Sequence, residues 1–169
     1  MLNRRFFAIL SAKRGKLPAV LVLSGAVLGV ILFKGIWGPV SPGLEIRDAS
    51  SGRVYDRWPV EEGGEFAIEF VHSVNRSPVR EIFGVRDREI LLAAVRFYSF
   101  GAGMQSDLEE GLVMRQDGDA LVITGYNRSF RELNYIVGTV SDHLLYINGE
   151  TISLRDLCGK NAHICLSIK

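Results

Sequence analysis

The sequence has little of the chemistry that metal sites and covalent catalysis need. It contains two cysteines and three histidines among 169 residues. The histidines, His72, His143 and His163, lie far apart and lack the spacing of metal ligands. No G-x-S-x-G motif is present, so Ser73, which directly follows His72, is not the nucleophile of an esterase elbow. We therefore expect no cofactor and no metal, and we assign no catalytic residue.

The two cysteines lie close together near the end of the sequence. Cys158 and Cys165 enclose the segment CGKNAHIC. In an oxidising compartment, two cysteines across a short loop can form a disulfide, and we expect one here. Free thiols and a metal site that includes His163 are the alternatives, although two thiols and one imidazole are too few for a closed zinc site.

Acidic residues are absent from residues 1–34, which carry six lysines and arginines. The 17 residues from Leu17 to Phe33 carry no charge, and the apolar run reaches 21 residues at Trp37 if Lys34 extends its ammonium group to the membrane surface. About 20 apolar residues cross a bilayer as a helix. The pattern predicts a basic cytoplasmic tail at 1–16, a transmembrane helix at 17–37 and a linker at 38–43. A cleaved signal peptide and a buried core helix are the alternatives.

The basic residues before the predicted helix indicate its orientation. Five of them precede residue 17, which places the N-terminus in the cytoplasm by the positive-inside rule. Within the helix, Gly25 and Gly29 form a G-x-x-x-G pair, and we expect them to form its packing face. The alternative is that two glycines in an apolar helix have no such role.

The rest of the chain has the opposite charge balance. Six of the 20 lysines and arginines lie in residues 1–34, which leaves 14 against 19 acidic residues, a net charge of about −5. No basic face suited to nucleic acid is present in this part. Together with the predicted orientation, this places a domain at residues 44–169 outside the cytoplasmic membrane.

Beyond the linker, no long helical pattern is found. Short β-rich runs alternate with turn signals, which is typical of an antiparallel β-sandwich or small barrel. Asp117-Gly118 and Asn148-Gly149 are predicted hairpin turns with positive φ at both central residues, and only 106–114 and 153–159 are expected to hold a helical turn. The eleven predicted strands are 44–48, 53–58, 65–72, 79–85, 89–100, 111–115, 120–124, 133–140, 143–147, 150–154 and 163–168.

The stretch EFVHSVNRSPVRE brings a histidine and a glutamate into one predicted hairpin. If His72 lies opposite Val79, then Phe70 faces Glu81, and the alternation of side chains places His72 and Glu81 on one otherwise apolar face. We expect the two to be in near contact at one end of the fold, close to the turn at 101–103. The alternative is that they only tie down the turn.

At these residues the chain resembles a bacterial family, the domain of unknown function 1850. The similarity rests on His72-Ser73-Val74, Pro78-Val79, Glu81 and Phe100-Gly101-Ala102-Gly103, and it extends over roughly residues 44–169. The family is commonly encoded beside TAXI-type TRAP transporters, which are binding-protein-dependent secondary transporters of organic acids. The resemblance implies that one set of residues forms a recognition or structural hallmark: His72, Ser73, Pro78, Glu81, Gly101 and Gly103.

Three functions follow from these observations as hypotheses. The first is a membrane-anchored accessory protein that contacts the permease or the solute receptor of a TRAP transporter. The second is an independent extracytoplasmic ligand-binding or sensing module. The third is an enzyme that uses His72 and Glu81 as acid and base, but it lacks a nucleophile or a metal set.

Overall fold

The computed structural model of this chain describes residues 42–74, 76–98 and 108–169. The chain divides into two units between Val40 and Ser41, and all described residues belong to the second unit. The predicted transmembrane helix with Gly25 and Gly29, and the turn with Gly101 and Gly103, lie outside the described residues. Within the part that is described, no helix is both long enough and apolar enough to cross a bilayer.

The described domain is mainly β, as the sequence predicts, and its strands form two antiparallel sheets. The smaller sheet consists of β1 (Gly43–Asp48), β2 (Val54–Pro59), β9 (Glu132–Ile136) and β12 (His163–Ile168). Its strand order is β2-β1-β12-β9. Every neighbouring pair in it is antiparallel.

The larger sheet contains the hairpin that the sequence singled out. Its strands are β3 (Glu65–Val71), β4 (Pro78–Arg86), β5 (Glu89–Phe97), β6 (Val113–Asp117), β7 (Ala120–Thr124), β8 (Ser129–Phe130), β10 (His143–Ile147) and β11 (Glu150–Ser153). The strand order is β11-β10-β3-β4-β5-β7-β6, and β8 pairs with β5. One short helix, α1 (Leu154–Cys158), follows β11 and confirms the helical turn predicted at 153–159.

The core lies between the two sheets. Ile46 and Leu166 from the smaller sheet and Ile68 and Leu145 from the larger sheet are completely buried and belong to one hydrophobic cluster. Burying an aliphatic side chain of this size contributes about 1.5–3 kcal/mol. Two antiparallel sheets that share one core are consistent with the predicted sandwich.

The two predicted hairpin turns differ in outcome. Asn148 and Gly149 have φ values of 52° and 79°, so φ is positive at both central residues, as predicted. The prediction for Asp117-Gly118 is wrong by one residue, because Asp117 still pairs with Ala120 and the central residues are Gly118 and Asp119. Gly118 alone has a positive φ there, 60°, which is typical of a turn with glycine at its first central position.

The strands run between two ends of the domain, which we call the base and the tip. At the base, Gly43 and Lys169 exchange two backbone hydrogen bonds of 3.0 Å. At the tip, β3 passes into β4 through the turn at 72–77, and β9 passes into β10 through the loop at 137–142. The chain therefore begins its first strand at the base and presents these two connections at the tip.

Candidate functional site

Glu81 lies on the core-facing side of the larger sheet. The register pairs Phe70 with Val79 and Ile68 with Glu81, which is two residues away from the predicted register. Because side chains alternate, a shift of two residues leaves each one on its own face. Glu81 and Phe70 therefore share the apolar face, as predicted, but Glu81 is displaced along the strand from His72.

The partner of Glu81 is a tyrosine from the opposite sheet. The hydroxyl of Tyr135, on β9, donates a hydrogen bond to Oε2 of Glu81 at 2.6 Å, so this bond crosses the core. Burial raises the pKa of Glu81 above its ordinary value, and the hydrogen bond from Tyr135 opposes that shift. The sequence predicts His72 as the neighbour of Glu81, but Tyr135 is the residue in contact with it. Glu81 pairs with Ile68, and His72 follows Ile68 by four residues, which corresponds to about 13 Å in extended chain.

Tyr135 keeps its proton in this environment. Burial raises the pKa of its phenol, and the carboxylate of Glu81 raises it further. The hydroxyl therefore stays protonated at neutral pH and is the donor of the bond to Glu81.

His143, the first residue of β10, connects the Glu81–Tyr135 pair to the tip. Its ring stacks on Phe70 with a centroid distance of 5.3 Å and meets the ring of Tyr135 edge-on at 6.0 Å. Its Nδ1 accepts a hydrogen bond from the N–H of Gly138 at 3.1 Å, which places the proton of the neutral ring on Nε2. Burial lowers the pKa of His143, so the ring is mainly neutral at pH 7.

The turn at 72–77 closes the β3–β4 hairpin. The N–H of His72 donates to the carbonyl oxygen of Ser77, and the N–H of Arg76 donates to that of His72, both at 2.9 Å. The Nδ1 of His72 also accepts a hydrogen bond from the N–H of Val74 at 3.3 Å. Arg76 has a φ of 50°, a left-handed conformation that costs a residue with a Cβ about 1–2 kcal/mol. The turn holds Arg76 in a conformation that its own backbone disfavours.

Residues of the turn at 72–77 and of the loop at 137–142 line a solvent-open pocket of about 700 Å³, which we call the tip pocket. Its volume is within the usual range for sites that bind small molecules. Glu81 is not part of the described lining, but Tyr135 and His143 connect it to that lining. The polar residues of the described lining are His72, Ser73, Arg76, Thr139, Ser141 and His143.

Gly138 allows the loop on the other side of the pocket to fold back tightly. A Cβ atom at this position would collide with the carbonyl oxygen of Ser141. Only glycine therefore permits this backbone approach, which also brings the Gly138 N–H to the ring of His143.

Of the remaining hallmark residues, Pro78 lies at the tip. Pro78 is the first residue of β4, where the missing N–H costs the sheet little. Its carbonyl oxygen accepts a hydrogen bond from the N–H of Tyr98 at 3.3 Å, so the chain leaves the described residues beside the start of β4. Gly101 and Gly103 follow within a few residues but lie outside the described ranges.

The expected disulfide is not formed, because the structure holds both cysteines as free thiols. Cys158 packs against the core, whereas Cys165 lies between the core-facing residues Ile164 and Leu166 and thus on the outer face of β12. The Sγ of Cys165 donates to Oε2 of Glu132 at 3.4 Å. Burial raises the pKa of both thiols, that of Cys158 to about 11. Among the described residues, no three His, Cys, Asp or Glu side chains converge as metal ligands.

Sequence reasoning missed Tyr135, His143 and Gly138 as parts of the site. A signal for Tyr135 existed, because alternation along β9 places it on the same face as the buried Leu133, and a buried tyrosine hydroxyl needs a partner. His143 had no local signal, because its place beside Phe70 depends on the pairing of β10 with β3, which are far apart in sequence.

Comparison with known proteins gives one match. The family model described as Domain of unknown function (DUF1850) matches residues 66–154, which is more than half of the 169 residues. No curated protein and no solved structure matches the chain. The matched range includes the β3–β4 hairpin except its first residue, Glu65, and it includes Tyr135 and His143. The chain therefore belongs to this family, and the hairpin, the cross-sheet tyrosine and the tip pocket are features of one of its members.

Proposed function

We propose that this chain is a membrane-anchored extracytoplasmic accessory protein of a TAXI-type TRAP solute transporter, and that its β domain acts in recognition through the tip pocket. The observation that carries the proposal is the composition of that pocket. Its lining includes His72 and Ser73, two of the residues on which the resemblance to the family rests. The predicted transmembrane helix at 17–37, with its uncharged run at 17–33, supports the anchor. The frequent encoding of family members beside TRAP transporters supports the partner.

The position of Glu81 favours recognition over catalysis. A mechanism with Glu81 as acid or base needs its carboxyl group within hydrogen-bond reach of the substrate. Glu81 is instead hydrogen-bonded to Tyr135 of the opposite sheet, in a partly buried position, and is not part of the described pocket lining. The polar groups that do line the pocket are suited to holding a ligand. An independent ligand-binding or sensing module is the second candidate, and the same pocket supports it.

Site-specific photocrosslinking in native membranes tests the proposal. Val140 is 94% exposed and lines the tip pocket, so a photoreactive amino acid at this position samples whatever approaches the tip. Val113, which is 59% exposed on β6 in the larger sheet, is the matched control. We expect the full-length chain with the probe at Val140 to capture a permease or solute-receptor subunit of a TRAP transporter, as identified by mass spectrometry. Capture of no such subunit, or equal capture from Val113, would contradict the proposal.

A further inference from the structure

We infer that the tip pocket binds a small organic carboxylate that carries an apolar group. This inference rests on the proposed function, in that it takes the pocket to be a recognition site, and it adds the chemical class of the ligand. Four observations carry it: an arginine that forms no ion pair within the described residues, lining groups that can donate hydrogen bonds, a buried guanidinium near His143, and an apolar rim.

Arg76 supplies a positive charge to the lining. No ion pair among the described residues involves its guanidinium. The described lining also contains no aspartate or glutamate that could neutralise it. A guanidinium presents its N–H groups as a planar fork that matches the two oxygens of a carboxylate. The turn that holds Arg76 at a φ of 50° therefore presents a suitable group for an anion at the pocket.

Several other polar groups of the lining can donate hydrogen bonds. His143 uses Nδ1 to accept the N–H of Gly138, so its Nε2 carries the proton. Ser73, Thr139 and Ser141 add hydroxyl groups, each of which can donate one hydrogen bond. A ligand rich in acceptor oxygens complements this set.

Arg155 places a second guanidinium near His143. Its Nε and Nη2 atoms are buried and have no hydrogen-bond partner among the described residues. Burial is the main cause of the lowered pKa of His143; the carboxylate of Asp142 opposes this shift, and the charge of Arg155 adds to it with a smaller effect than that of Asp142. Asp142 accepts hydrogen bonds from the hydroxyl of Ser153 and the backbone N–H of Arg155. Arg76 therefore supplies the positive charge of the described lining, in a part of the chain, residues 35–169, whose net charge is about −5.

The rim of the pocket favours an organic anion over an inorganic one. Val71 and Val140 belong to the lining, and Val74 lies in the same turn as His72. These valines are 41%, 94% and 66% exposed, respectively. Apolar side chains gathered beside a polar pocket gain from contact with an apolar ligand group. A ligand with a carboxylate bound by Arg76 and an alkyl or aryl group packed on the valines complements both the polar lining and the apolar rim.

Isothermal titration of the full-length chain in detergent tests the inference. The probes are isovalerate and phenylacetate, each paired with its uncharged amide, and inorganic phosphate as a second anion. We expect saturable binding of at least one carboxylate, with an affinity about tenfold or more above that of its amide, because the amide loses the charge-assisted hydrogen bonds. Binding of neither carboxylate, equal binding of the amide, or tighter binding of phosphate would each overturn the inference.

Two variants locate the site. Arg76→Gln should weaken carboxylate binding by about tenfold or more, whereas Arg86→Gln, which removes the same charge from an exposed residue at the base, should leave it unchanged. Thermal unfolding of each variant confirms that the fold is retained. Wild-type affinity in Arg76→Gln would refute the assignment. Crosslinking to a transporter subunit without carboxylate binding would overturn this inference and spare the proposed function, and the reverse result would do the opposite.

Discussion

At the residue scale, the Glu81–Tyr135 hydrogen bond is a polar contact that joins the two sheets across the interior of the domain. A buried carboxyl group is costly unless it has a partner, and this bond supplies one from the opposite sheet. Removal of the donor leaves the acceptor behind, whereas an amide at position 81 still offers an oxygen to the tyrosine.

We predict that Tyr135→Phe lowers the free energy of unfolding by about 1–3 kcal/mol, because Glu81 is left buried without its donor. Glu81→Gln should cost less, since the amide oxygen still accepts. Urea unfolding of the two variants and of the double variant measures both effects and their coupling. A Tyr135→Phe chain as stable as the wild type would show that solvent or another group satisfies Glu81.

We predict that Glu81 and His143 make the free energy of unfolding change with pH in opposite directions. Burial raises the pKa of Glu81 above its ordinary value of 4.5, so the folded state keeps a proton that the unfolded chain has released. Stability from this group is complete below 4.5 and is lost as the pH rises through the folded-state pKa. Burial lowers the pKa of His143 from 6.5, so its contribution is complete above 6.5 and is lost as the pH falls through the folded-state pKa.

The measurement is urea unfolding over a series of pH values, with Glu81→Gln beside the wild type. The variant should lack the loss of stability above pH 4.5 that Glu81 causes and keep the loss on acidification that His143 causes. If both proteins lose stability equally on the alkaline side, Glu81 is not the responsible group.

At the element scale, the hairpin turns of the larger sheet differ in how well their residue types suit positive φ angles. Asn148-Gly149, between β10 and β11, is the residue pair that a turn with two positive φ values prefers. Asp87-Arg88, between β4 and β5, has φ values of 52° and 62° without a glycine. The second turn therefore carries backbone strain that the first avoids.

We predict that Arg88→Gly raises the free energy of unfolding by about 0.5–1 kcal/mol, because glycine adopts a φ of this sign without a steric cost. Thermal unfolding of the full chain measures the change. Arg115→Gly is the control, since Arg115 lies in β6 with an ordinary strand conformation, and there glycine should destabilise. A lower midpoint for Arg88→Gly would show that the arginine side chain contributes more than the strain it causes.

Local patterns predicted the elements well but not their partners across the sheets. Alternating apolar residues and turn signals gave strands such as Ala120–Thr124 and His143–Ile147, because these signals lie within each strand. The two-residue strand Ser129–Phe130 was missed, since it is too short to show alternation. The contact between Glu81 and Tyr135 depends on how two sheets face each other, and no local pattern contains that information. Alternation within β4 was enough to predict the face of Glu81, whereas its partner depends on the packing of the other sheet.

At the scale of the whole molecule, the charge distribution predicts a single crossing with the N-terminus inside. The uncharged run at 17–33 and the five basic residues before it are the reason. Alkaline phosphatase fused after Lys169 should be active and a fluorescent protein at the same place should be dark in a bacterial membrane. The same reporters fused after Lys16 should show the opposite pattern. An active cytoplasmic reporter after Lys169 would contradict both the topology and the extracytoplasmic role.

The backbone hydrogen bonds between Gly43 and Lys169 hold the first and last strands of the β domain together at their ends. Its two ends meet at the base, and the tip pocket lies at the opposite end. A short Gly-Ser bridge from residue 169 to residue 43, with new ends opened at Gly118-Asp119, requires no strand to move. Such a circular permutant should unfold cooperatively and keep the carboxylate affinity proposed for the tip pocket. For the same reason the domain can be inserted, through residues 43 and 169, into a surface loop of a host protein with the tip pocket directed away from the host.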